Sequence, residues 1–145
     1  MAFQLPKPGT VIRYAYLWRE EAARGQEEGL KDRPAVVVLT TQTDDGQHRV
    51  MVVPITHSPP SDPDRAVEVS AETARRLGLD DGRQWIITAE CNYFAWPGPD
   101  LRFVRGKEPP TADLGFLGSK LAHKVLDKVR SEGRLRTLGM VPRTE

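Results

Sequence analysis

Apolar residues along this chain come in short bursts, separated by polar stretches that carry glycine or proline, which is the rhythm of strands and turns. Residues 11–18 hold β-branched and aromatic side chains behind Pro8 and Gly9 and predict a first strand. Residues 19–31 carry four glutamates and two glycines with no apolar face, so a long polar loop is expected, with a helical turn at residues 20–24. Residues 34–41 are a valine run opening at Pro34, a position where a strand tolerates a missing N–H. Residues 49–56 repeat the pattern after Asp44, Asp45 and Gly46, and Gly46 takes the positive φ of a tight turn without steric cost. The two runs therefore predict an antiparallel hairpin.

Three prolines (Pro59, Pro60, Pro63) exclude regular structure from residues 57–65, and a short strand is expected at 67–69. Ser70 is placed to cap a short helix that ends at Leu77, with Gly78 as its left-handed stop. Residues 84–90 predict a central strand, and Pro97, Gly98 and Pro99 break the chain before a short strand at 101–105. Leu121, Val125, Leu126 and Val129 form one apolar stripe of a helix over 119–132, stopped by Gly133, and a loose tail is expected from about residue 134. Five or six short strands with one late helix define a mainly β fold with a C-terminal helix. A small closed or partly closed barrel removes exposed sheet edges, and a two-layer α+β arrangement is the alternative.

A length of 145 residues makes a single domain over 1–145 the default. With 39% hydrophobic and 28% charged residues the chain is too apolar for disorder, and no apolar run reaches the roughly 18 residues of a spanning helix. Residues 1–7 lead into nothing of signal-peptide length, so a cytoplasmic address and no membrane partner are expected. Cys91 follows an apolar run and reads as a small buried hydrophobe, and His48, His57 and His123 have no zinc-site spacing, so no metal or other cofactor is expected. The net charge of +1 hides an asymmetry. Up to Asp100 there are eleven Lys and Arg against fifteen Asp and Glu, a balance of −4, and beyond it ten against five, a balance of +5. A polyanion would be drawn to the C-terminal third, although a basic helix face is more often plain solvated surface.

Two strand ends place polar groups at the margin of apolar runs. In Lys31-Asp32-Arg33-Pro34 the arginine is held extended by the following proline, and in Thr56-His57-Ser58 three polar side chains follow a buried strand. Counting outward from the turn at Gly46 brings Arg33 and Thr56 to the same end of the hairpin. A guanidinium fork beside a hydroxyl suits a phosphate, and such a pair stabilises the charge that develops when a ribose 2′-hydroxyl attacks the adjacent phosphorus. His57 is a candidate proton carrier. The competing roles are an ion pair of Arg33 with Asp32 or with Glu27 and Glu28, a strand cap for Thr56, and an exposed loop position for His57.

The same residues carry a resemblance. Gly9-Thr10-Val11-Ile12, the loop with Gly25, Glu27 and Gly29, then Arg33-Pro34-Ala35-Val36-Val37-Val38 and Val52-Val53-Pro54-Ile55-Thr56 resemble the PemK/MazF toxins of bacterial toxin–antitoxin pairs. The resemblance spans residues 8–56 and extends more loosely to Glu90 and the final helix. It implies an SH3-like barrel and a homodimer. It implies a metal-independent endoribonuclease that cuts single-stranded messenger RNA, leaves a cyclic phosphate, inhibits growth, and is silenced by an antitoxin protein. Arg33 and Thr56 match the family's active-site arginine and threonine, and Glu90 sits about where some members carry an acidic catalytic residue. Thr88 stands where some members have a second catalytic arginine, so their proton-transfer scheme does not carry over. Lys31, Ser58 and Thr88 join the RNA-contacting candidates, and Tyr93 and Trp96 are candidates to stack unpaired bases. A non-catalytic barrel of the same ancestry, binding a protein or a nucleic acid, is the alternative.

Overall fold

The computed structural model describes residues 4–25, 32–107 and 109–143. Its elements, in chain order, are β1 (Thr10–Tyr14), α1 (Arg19–Ala23), β2 (Arg33–Gln42), β3 (His48–Thr56), a 3₁₀ turn (Pro63–Arg65), β4 (Ala66–Val69), α2 (Ala71–Leu77), β5 (Gln84–Ile87), β6 (Glu90–Trp96), β7 (Asp113–Phe116), α3 (Ser119–Leu135) and β8 (Gly139–Pro142). The strands form one curled eight-stranded sheet, a half-barrel, with α3 as its C-terminal helix. Every pairing is antiparallel except that of β6 with β8.

The hairpin of β2 and β3 is the spine, turning at Gly46 with φ 84°. Along its free edge β3 serves two partners. His48 to Val52 pair with β6, and Ile55 and Thr56 pair with β5. Pro54 sits at the changeover, where its missing N–H leaves no bond unmade. The sheet is buried on both faces because successive side chains of a strand point to opposite sides. Val36, Val38, Val53 and Ile55 join Val125 and Val129 of α3 in one cluster, whereas Val37, Val50, Val52 and Phe94 pack with Tyr14 in the other. A strand buried on both faces reads as an unbroken valine run.

Helix α2 follows the sequence expectation, with the Ser70 hydroxyl accepting the Thr73 N–H at 3.2 Å and Gly78 left-handed at φ 71°. Helix α3 overruns its expected stop at Gly133 by two residues and ends where Arg136 turns left-handed at φ 60°. Glu132, held by Arg65, keeps that last turn in place. The expected strand over 84–90 is two strands. The Thr88 N–H donates to the Arg65 carbonyl at 3.0 Å, which carries the β4–β5 register one residue further, and β6 begins at Glu90 with β3 and β8 as its partners instead. Residues 101–105 supply only an isolated bridge, from Leu101 to Tyr14, and β7 takes the edge beside β1 instead. The tail expected from about residue 134 is β8, pinned by Arg143, whose side chain is 2% exposed and reaches Asp100 at 2.8 Å, the Ala15 carbonyl at 2.8 Å and Asn92 Oδ1 at 3.0 Å.

Candidate active site

The register of the spine brings the candidate pair together. Ala35 faces Pro54, and the same register carried two residues further sets Arg33 opposite Thr56. Both side chains line an open cleft of about 890 Å³, together with Trp18, His57, Ser58 and Glu90. Four sequence candidates for catalysis, Arg33, Thr56, His57 and Glu90, therefore meet in one place, with Ser58 beside them.

Arg33 lies 5.1 Å from the Trp18 ring centre, a guanidinium stacked on an indole. Its Nε is buried without a hydrogen-bond partner. Burial lowers its pKa, opposed by the charge of Glu21. Asp32 does not neutralise it, because that carboxylate is engaged by Arg102 at 3.2 Å and by Arg13 at 3.6 Å. The neighbouring acid is thus taken up by other arginines, and Arg33 lines the cleft. Trp18 is itself fixed, since its N–H donates to Glu21 at 3.0 Å at the start of α1, half of a capping box.

Thr56 is nearly buried, and its Oγ1 accepts the Ser58 N–H at 3.1 Å. Its own hydroxyl hydrogen is left to donate. His57 Nδ1 lies 3.1 Å from the Arg83 carbonyl. A carbonyl only accepts, so Nδ1 carries the hydrogen and Nε2, 3.9 Å from Asp80, is the basic nitrogen of the neutral ring. Glu90 opens β6, and its Oε2 accepts the Arg19 N–H at 2.7 Å and the Tyr16 hydroxyl at 3.3 Å. Burial raises the Glu90 pKa, and these hydrogen bonds oppose the rise. Tyr16, buried and beside that carboxylate, is held well above the usual phenol range.

The remaining candidates stand apart. Thr88 is fully buried, its Oγ1 without a partner, and it does not line the cleft. Tyr93 packs on the α3-side cluster with Arg49 5.7 Å from its ring, and Trp96 packs on the other cluster, so neither reaches the cleft. Their segment is a strand of the core, which is why it is aromatic. Lys31 lies outside the described residues. The basic C-terminal third contributes no side chain to the cleft among the described residues.

Sequence reasoning also missed parts of the site. The apolar run groups Trp18 with the first strand, yet it stands at the N-cap of α1 and lines the cleft. Arg65 lines the cleft, and its Nε and Nη2 each donate to Glu132 at 2.7 Å, with Nη2 also donating to the Thr137 carbonyl at 3.0 Å, which makes it a brace between cleft and α3. The carboxylates of Glu20, Glu21, Asp62 and Asp80 give the rim an acidic character. Among the described residues no three His, Cys, Asp or Glu side chains are grouped as a metal site would need. No described helix is long and apolar enough to cross a membrane. No protein-family model matches the chain, and no curated protein sequence matches it either.

Proposed function

We propose that the protein is a divergent PemK/MazF-like endoribonuclease that cuts single-stranded RNA in this cleft without a metal. The observation that carries the reading is the meeting of Arg33 and Thr56, from facing strands, at one cleft, with Asp32 engaged by Arg13 and Arg102. A guanidinium and an alcohol so placed offer charged and neutral donors to the two non-bridging oxygens of one phosphodiester. His57 Nε2 accepts the proton of the 2′-hydroxyl as that oxygen bonds to phosphorus. The bond from phosphorus to the 5′-oxygen breaks, and that oxygen takes the proton of Glu90, which burial helps the carboxyl to keep. The products are a 2′,3′-cyclic phosphate and a 5′-hydroxyl. Under this reading the half-barrel and its helix are an SH3-like barrel, the protein is cytoplasmic and homodimeric, and a cognate antitoxin covers the cleft.

The acidic rim supports a second reading, a non-catalytic barrel that binds a basic protein segment, because Glu20, Glu21, Asp62 and Asp80 repel a phosphate chain. Purified protein incubated with RNA of mixed sequence in the presence of a chelator separates the two. Cleavage leaving 5′-hydroxyl ends is expected, and RNA left intact over a wide range of sequences favours the binding module.

A further inference from the structure

A second hollow, of about 190 Å³, adjoins the cleft. Asp32, Arg33, Thr56, His57 and Asp80 line both spaces, so the two adjoin along these residues. The smaller hollow has aliphatic walls from Pro34, Ile55, Leu79 and Leu114, with Gln84 and Asp80 at its polar end. Its volume lies below the roughly 300 to 1,000 Å³ of sites for drug-sized ligands, a size for a single planar heterocycle. The polar end is biased toward accepting. Gln84 is buried and donates Nε2 to the Asp80 carbonyl at 2.7 Å, which fixes the amide and leaves Oε1 as an acceptor. The Asp80 carboxylate, exposed to solvent at the mouth and 3.9 Å from His57 Nε2, is a second acceptor, and the nearby donor Arg13 is engaged by Asp32 at 3.6 Å.

We propose that this hollow is a nucleobase subsite, filled by the base next to the phosphate held at Arg33, and that it selects a base bearing an exocyclic amino group over uracil. The proposal rests on the nuclease reading of the larger cleft. A phosphodiester held at the shared residues Arg33 and Thr56 lies next to both spaces, so its two nucleosides can take one each. One base then meets the open cleft, and the other meets apolar walls with acceptors at the end. Cytosine offers those acceptors an amino group, whereas uracil offers a carbonyl oxygen at the same position.

Deoxynucleotide tetramers test this directly, because they lack the 2′-hydroxyl needed for cleavage. Each position in turn carries cytosine, uracil or an abasic sugar, and the parent protein is titrated while the methyl NMR signals of Ile55, Leu79 and Leu114 are followed. At one position cytosine is expected to move those signals and to bind about tenfold more tightly than uracil or the abasic sugar, the effect of one hydrogen bond with its apolar contact. Leu114→Trp, which fills the hollow, is expected to erase that difference. Unmoved methyl signals, or equal binding by all three at every position, overturn the subsite even if the protein cuts RNA. Discrimination on the tetramers by a protein that leaves RNA intact keeps the subsite and overturns the nuclease. The parent titration decides the matter even if Leu114→Trp does not fold.

Discussion

Asn92→Leu removes the clamp that sets the wall of the cleft, and its cost follows from the bonds it breaks. Asn92 is fully buried. Its Oδ1 accepts the Leu17 N–H at 2.9 Å, and its Nδ2 donates to the Leu17 carbonyl at 2.7 Å. The same Oδ1 accepts from Arg143 at 3.0 Å. Leucine keeps nearly the same volume, so no cavity forms and the loss is polar. Two buried backbone groups of Leu17 are left unpaired, at about 1 to 3 kcal/mol each, and Arg143 loses one of its acceptors. A total near 3 to 5 kcal/mol is a large share of the roughly 5 to 15 kcal/mol that holds a domain together. Urea denaturation followed by tryptophan fluorescence measures it. Because Leu17 precedes Trp18, the change is expected to loosen the ring that stacks on Arg33 as well. A loss below about 1 kcal/mol would show that the clamp does not order this segment. The reasoning has a second check in Arg143→Met, which strands Asp100 with 15% side-chain exposure. The two substitutions share one network, so their combined cost should fall short of the sum of the single costs.

Other expectations follow from single contacts. Arg65→Met leaves the nearly buried Glu132 carboxylate unpaired and should cost about 2 to 3 kcal/mol in denaturant titration, with a smaller loss if Glu132→Gln is added. Ser70→Ala removes the cap of α2 and should cost about 1 kcal/mol by the same measurement. For Glu90 the sign is set by its raised pKa. The folded state holds this proton more tightly than the unfolded chain, so the group's contribution is most favourable below the ordinary carboxylate pKa and is lost as pH rises through the folded value. Glu90→Gln keeps the acceptor for Arg19 and Tyr16 without the charge, and its melting temperature should gain on the parent's as pH is raised from acid to neutral. A variant melting temperature that falls relative to the parent's over that range contradicts the assignment.

What the sequence made legible was local. The valine runs and the turn at Gly46 specify β2 and β3, and once they pair antiparallel the meeting of Arg33 and Thr56 follows from counting. Ser70 and Gly78 bracket α2 by side-chain and backbone chemistry close at hand. The misses all depend on distant partners. Strand β8 owes its place to a parallel pairing with β6 and to Arg143 contacts with Asp100, Asn92 and Ala15, none of which leaves a mark in the sequence around it. Gly133 stays helical because Arg65, on the far side of the sheet connection, ties down Glu132. The aromatic run at 93–96 is equally consistent with a base-stacking surface and with a buried strand, and only the pairing of β6 with β3 decides for the strand. In the cleft, Trp18 and Asp80 arrive from α1 and from the loop after α2, so hairpin counting could not reach them.

The central claim is that Arg33 and Thr56 grip one scissile phosphate. Single-turnover cleavage of a defined RNA by the parent, by Arg33→Ala and by Thr56→Val tests it most directly, with folding checked by circular dichroism and the ends identified chemically. The account predicts 2′,3′-cyclic phosphate ends from the parent and a rate lower by about 10² to 10³ for Arg33→Ala, the effect of losing one donor to transition-state charge. A folded Arg33→Ala protein that cuts as fast as the parent contradicts it.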